Sequence, residues 1–388
     1  MAEAQPPLTV TARSPDHPAA VAAIVSTAIV GDLGFFIMPL LIGGMVDAYR
    51  ISETTVGYII ALQLGALAAT AFVLAPRMHR IDRRFLGLVG LGLVVVGNVA
   101  TAAGTDFALL VAARSVTGAG EGLVQAVGAA AGAETRNPER TFALVSLGVV
   151  FMSLGIFLGL PSIVIGLGPQ GTFALIAAVV VLISPLLLFL PPYYVVRHHH
   201  RAETISAFTL IGFAALLALL LFNMSANAPW FYVGRMGHRI GLDIEDIGRI
   251  LALASVIAIA GPVAAHRLGV RYGRTKPLLL ALAASAAGSL WLAHTYSHAQ
   301  FTAAVCLASI AVMFGGPYFM GLLSALDPAG RLTAAAKGFQ AIGNTLAPGV
   351  AASILLVGAD YEGIGWTAFV TALIAAVLVL PASLRLSR

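Results

Sequence analysis

One cysteine in 388 residues, Cys306, excludes an intramolecular disulfide and any cysteine-based zinc centre. Charge is scarce as well. Only 10% of the residues are Asp, Glu, Lys or Arg, against roughly 25% in an average soluble chain, so a conventional solvated surface is excluded. No basic segment followed by a short apolar stretch opens the chain, so we expect no cleavable signal. No metal-ligand cluster and no nucleophile–base constellation stands out, so we expect no metal, no cofactor and no enzyme. What is abundant is hydrocarbon: 59% of the residues are hydrophobic and the mean hydropathy is +0.94. The apolar runs are continuous and about 20 residues long, the length a helix needs to cross a bilayer core of roughly 30 Å. Short alternating strands of a barrel are not there. The reading is an all-α integral membrane protein.

The hydropathy pattern predicts twelve transmembrane helices, at roughly 18–46, 54–76, 84–104, 106–132, 141–166, 171–191, 205–234, 245–266, 276–294, 298–325, 332–358 and 364–385. With both termini in the cytoplasm, only Arg50, Arg235, Arg239 and Arg249 of the 22 basic residues face outside, and Arg114 lies within a span. The remaining 17 stay inside, as basic loops do. The net charge of +5 is therefore a topology signal and not a sign of nucleic acid binding. The halves also repeat. HRIDRR at 79–84 is followed 191 positions later by VRYGRT, and Pro138 and Arg140 are echoed by Pro328 and Arg331. Two parallel six-helix repeats follow, residues 18–190 and 205–388, with a polar tail at 1–17 and a basic linker at 191–204 that holds His198, His199 and His200. In such transporters the substrate site lies between the halves near the midplane.

Twelve spans, two sixfold halves and these loops resemble the major facilitator superfamily over nearly the whole chain. That family carries G-x-x-x-D-R-x-G-R-[RK] between its second and third helices. Here Arg77, Arg80, Arg83 and Arg84 keep the basic positions, whereas Ala75, His79 and Asp82 replace Gly, Asp and Gly. In the second half Arg271, Gly273 and Arg274 fit, with Val270 in the Asp position. The resemblance implies a gating latch on the cytoplasmic side, built from Arg77, Arg80, Asp82, Arg83, Arg84, Arg271 and Arg274. Arg114-x-x-x-Gly118 resembles the fourth-helix signature of proton-coupled members. Gly155, Gly159 and Pro161 resemble a glycine–proline motif of antiporters, which implies a second gating element.

Ionisable residues deep in a span are costly and commonly line a pathway. Asp32, Arg114 and Glu121 are three such residues, and we read them as the proton-coupling set. At 100° per residue, Arg114, Gly118, Glu121 and Gln125 form one stripe, expected to face protein or a watered cavity. Gln125 of that stripe and further polar residues are candidate substrate contacts: Asn223, Asn227, Trp230 and Tyr232 on the seventh span, Tyr318 on the tenth, Lys337, Gln340 and Asn344 on the eleventh, with Gln63 on the second. The expected function is proton-coupled secondary transport of a small organic solute, with a lean to efflux of neutral or cationic amphiphiles. Uptake of an organic acid by Arg114 and Lys337 is the alternative, and a sensor or scaffold the remote one. The expected protein is a monomer in the inner (plasma) membrane, with protons, lipid and a small solute as its partners.

Overall fold

A computed structural model describes residues 16–74, 81–104, 106–191, 210–269, 271–327 and 331–385. Arg77, Arg80, most of the expected tail and most of the expected linker lie outside these residues. Twelve α-helices and no strand are found among the described residues. They are α1 (Pro18–Tyr49), α2 (Glu53–Leu74), α3 (Arg83–Ala103), α4 (Phe107–Ala133), α5 (Pro138–Ile183), α6 (Leu210–Arg239), α7 (Ile244–Ala258), α8 (Ala260–Leu268), α9 (Thr275–Ala293), α10 (His298–Leu326), α11 (Arg331–Leu356) and α12 (Tyr361–Arg385). The starts obey capping chemistry. Asp82, Asp106, Asn137, Asp243 and Ser297 each accept a first-turn N–H of α3, α4, α5, α7 or α10.

Helices and membrane crossings do not correspond one to one. By length and apolar character eleven segments qualify as spans, with Arg140–Phe189 taken as one of 50 residues. A rod of that length reaches about 75 Å, more than twice a bilayer core. Gly168, at φ 66° and ψ 177°, breaks it, and Pro169 restarts it. That conformation is essentially reserved for glycine. The chain turns back there: Thr141 bonds Thr135, Pro169 abuts Gly44, and the Leu190 carbonyl accepts Arg84 Nε at 2.6 Å. Thus α5 is a helical hairpin of two crossings. Conversely, α7 and α8 adjoin at Ile259 and make a single crossing, Ile244–Leu268. The total is twelve, as the hydropathy pattern predicts.

α1–α5 form one bundle and α6–α12 the other. Each has a core of its own in the half nearer the basic loops, around Ile24, Val127 and Leu187 in the first bundle and Leu219, Leu282 and Phe319 in the second. In the opposite half a single core runs through both, joining Ile37, Leu41, Ile59 and Phe157 to Phe231, Met236 and Leu251. The bundles are therefore sealed together at the far end, and the gap between them lies toward the basic end, where their cores are separate.

Candidate functional site

The gap is lined first by α1. This helix is mostly buried, but Ile29, Asp32, Phe35 and Phe36 are half-exposed at one-turn spacing. Asp32 is held by Gln125 of α4, whose Nε2 donates to Oδ1 at 2.9 Å. It makes no ion pair among the described residues; the cation whose field reaches it is Lys337, exposed on α11 of the other bundle.

One turn along α4, Glu121 is buried where α1, α2 and α4 meet. Its Oε1 accepts the Gly34 N–H at 3.2 Å and its Oε2 accepts Gln63 Nε2 at 3.0 Å. Both donors are neutral. A methyl group at Gly34 would press on the Gln63 amide and the Glu121 carboxylate, so both side chain ends would have to shift to admit it. Gln63 Oε1 is buried without a hydrogen-bond partner.

Arg114 departs from the expected common stripe. Its side chain points into the first bundle and away from the gap. Nε donates to Thr101 Oγ1 at 2.9 Å, and Nη2 donates to Asn98 Oδ1 and Thr117 Oγ1, both at 3.0 Å. The guanidinium lies 4.6 Å from the Phe173 ring centroid, and Nη1 is buried without a partner. The reason is packing. Gly118 and Gly122 press onto the backbone of α2 at Gln63 and Leu67, so α4 is buried on several sides and its polar residues diverge. Arg114 faces α3, Glu121 faces α1 and α2, and Gln125 faces α1.

On the opposite wall, Asn227 Nδ2 donates to Asn344 Oδ1 and to the Asn223 carbonyl, each at 2.8 Å, tying α6 to α11. Lys337 Nζ reaches Gln340 Oε1 at 3.5 Å. Trp230 is half-buried, with its indole Nε1 buried and without a hydrogen-bond partner among the described residues. Two other candidates stand away from the gap. Tyr232 is fully buried in the far-end seal, where its hydroxyl donates to the Glu53 carbonyl at 3.3 Å. Tyr318 donates to the Gly269 carbonyl at 3.1 Å, inside the second bundle at its basic end.

The seal contains groups that a reading of the sequence passes over. Phe35 stacks on Trp230 at 6.1 Å and meets Phe231 edge-on at 5.4 Å; Phe157 meets Trp230 at 5.9 Å. Above them Glu53 of α2 accepts Arg235 Nε at 2.6 Å, a second bond from the same guanidinium, and the hydroxyl of Tyr361. Helix backbones also close up, Gly234 on the Pro39 carbonyl and Gly248 on Phe157 and Pro161. Pro161 thus belongs to the junction between bundles. Gly155 and Gly159 do not, for a Cβ on either would meet open space.

At the basic end, Asp82 caps α3, Arg83 is fully buried on Glu134, and Arg84 bonds Leu190. These contacts lie within the first bundle. Arg271 is exposed and Arg274 half-buried, beside the Gly273 turn at φ 71°. Contacts between bundles persist toward this end along α2 and α11, where Thr345 Oγ1 donates to the Leu64 carbonyl at 3.2 Å and Phe72 lies against Gly338.

No curated protein matches the sequence. Among solved structures the chain is similar to the crystal structure of a bacterial homologue of the human lysosomal transporter Spinster, in an inward-facing, unoccupied conformation. The TM-score is 0.71 at 14% identity, over 96% of this chain and 98% of that one, a likeness of fold. The sequence matches the family model described as Major Facilitator Superfamily over residues 23–348. With that match spanning both bundles and the gap, the chain belongs to the major facilitator superfamily.

Proposed function

We propose that this protein exports a neutral or cationic amphiphilic solute in exchange for protons, with Asp32 as the group that carries the proton. Membership of the superfamily makes it a multi-pass membrane transporter that works by alternating access. The finer reading rests on one observation: a carboxylate without an ion-pair partner among the described residues, half-exposed in the gap and held by the neutral Gln125. A carboxylate with no ion-pair partner is costly to enclose in a low-dielectric interior. The gap therefore closes over Asp32 when the charge is cancelled, either by a proton or by a cationic solute. Since one carboxylate serves either but not both, the two cross in opposite directions. Glu121, enclosed by neutral donors one turn away, supplies a second protonatable position.

The organic-acid alternative loses its main anion contact, because Arg114 is spent inside the first bundle. The charge bias supports placing the basic end and both termini in the cytoplasm of an inner-membrane protein. The test is a flux assay in proteoliposomes with an imposed pH gradient, using solutes chosen by a thermal-shift screen. Asp32→Asn is expected to abolish pH-driven flux while the protein still inserts. Proton-driven accumulation by that variant, or flux that follows sodium instead, would overturn the reading.

A further inference from the structure

The aromatic cluster at the top of the gap is unusual for a purely mechanical seal. Phe35 and Phe36 follow Asp32 by three and four residues, so their rings stand one turn above the carboxylate on the same face of α1. Trp230 comes from the other bundle and lies nearly parallel to Phe35, at 16°. Both are half-exposed, and Phe36 extends the ring wall to Phe157 at 6.0 Å. By contrast Phe231, which touches Phe35 from behind, is fully buried. A polar atom is left over in this wall. The indole N–H of Trp230 is a donor only, it is buried, and no acceptor among the described residues meets it. Leaving such a donor unpaired costs about 1–3 kcal/mol.

We propose that Phe35, Phe36 and Trp230 form the specificity wall of the substrate site, and that the solute is a flat aromatic cation carrying a hydrogen-bond acceptor. This rests on the exchange reading above and names its substrate class. Ring faces attract cations, and the electrostatic gain grows where water is excluded. A flat ring that enters between Phe35 and Trp230 replaces the stacking lost as the bundles separate. Its positive group then lies toward Asp32, and its acceptor receives the Trp230 N–H. Recognition and opening are thereby the same event, since the contact the solute replaces is one that holds the far end shut.

The experiment is binding in detergent, which needs no proton gradient and so fails or succeeds independently of the exchange reading. Trp291 and Trp366 are the only other tryptophans, and both are exposed. In the Trp291→Phe, Trp366→Phe background all indole emission comes from Trp230. Ethidium, a flat aromatic cation, is expected to quench it saturably, and tetramethylammonium, which has no ring, to compete poorly. Phe35→Leu keeps apolar bulk but removes the ring and is expected to weaken ethidium roughly two- to tenfold. Trp230→Phe loses the donor and should cost about the same factor for berberine, a flat aromatic cation whose methoxy oxygens can accept, followed by its own emission. Phe231→Leu loosens the seal from its buried side and should not weaken ethidium, since the solute must part that same seal. Equal weakening by Phe231→Leu would make the cluster a gate alone, and unchanged affinity in both Phe35→Leu and Trp230→Phe would remove it from the site; either result overturns the proposal.

Discussion

Replacing Glu53 by Gln tests what keeps the far end shut. The carboxylate takes two bonds from Arg235 and one from the Tyr361 hydroxyl, so it ties α2 of the first bundle to α6 and α12 of the second. The amide retains the shape but loses the charge, and with its one oxygen kept toward Arg235, which donates both bonds to Oε1, it loses the acceptor facing Tyr361. A hydrogen bond to a charged group contributes about 1.5–3 kcal/mol when buried. The Glu53 and Arg235 side chains are 21% and 27% exposed, so solvent screening reduces this toward the 1 kcal/mol or less of a surface pair. A loss of about 1–2 kcal/mol shifts the ratio of far-end-closed to far-end-open protein by roughly 5- to 30-fold. Spin labels at Phe107 and Tyr296, exposed far-end positions on opposite bundles, report that ratio as a distance distribution once Cys306 is replaced by Ser. The parent protein should show mainly the short distance, and Glu53→Gln a clear gain of the long one. An unchanged distribution in Glu53→Gln would refute the argument and leave the seal to the aromatic and glycine contacts.

Two further substitutions separate stability from transport. Gly118→Ala forces a methyl group into the Gln63 carbonyl and pushes α2 from α4, which should cost about 1–3 kcal/mol and lower the thermal midpoint in detergent; an unshifted midpoint would show that the two helices slide apart freely. Arg114→Ala strips Asn98, Thr101 and Thr117 of their shared donor and opens a void under Phe173, at a cost of about 2–5 kcal/mol. Wild-type stability in that variant would mean that Arg114 is retained for something other than holding α3 to α4.

The architecture was legible because its cause is crude. A bilayer imposes length and apolarity on each crossing, loops gather the charge, and Gly168-Pro169 sits where the hydropathy pattern places a boundary. The gap was legible in part. Asp32, Asn227 and Asn344 stand out as polar residues in apolar spans, and the structure does bring them to the gap or its wall. Helical periodicity misleads for Arg114, because a shared face on α4 says nothing of how many neighbours that helix has; the glycines at 118 and 122 admit α2 and divide the stripe. Tyr232 and Tyr318 mislead for a related reason, since a hydroxyl in a span can be satisfied by a backbone carbonyl in a seal or within one bundle. Phe35, Phe36 and Phe157 gave no signal at all. An apolar ring within an apolar segment has no contrast, and its meaning comes from a partner in the other bundle. Glu53 and Arg235 are hidden differently: they sit at loop edges, where charge is ordinary, and are 182 residues apart.

The reversal at Gly168 decides whether the number of crossings is even or odd. With an even count the two ends of the polypeptide share a compartment and the second six helices repeat the first in the same sense. Were the hairpin read as one traverse, everything after it would be inverted: the basic loops of the later half would face the wrong compartment, and Asp32 and Trp230 would belong to halves that are no longer parallel copies. A single backbone conformation essentially reserved for glycine thus maintains the parity on which sidedness and internal symmetry depend.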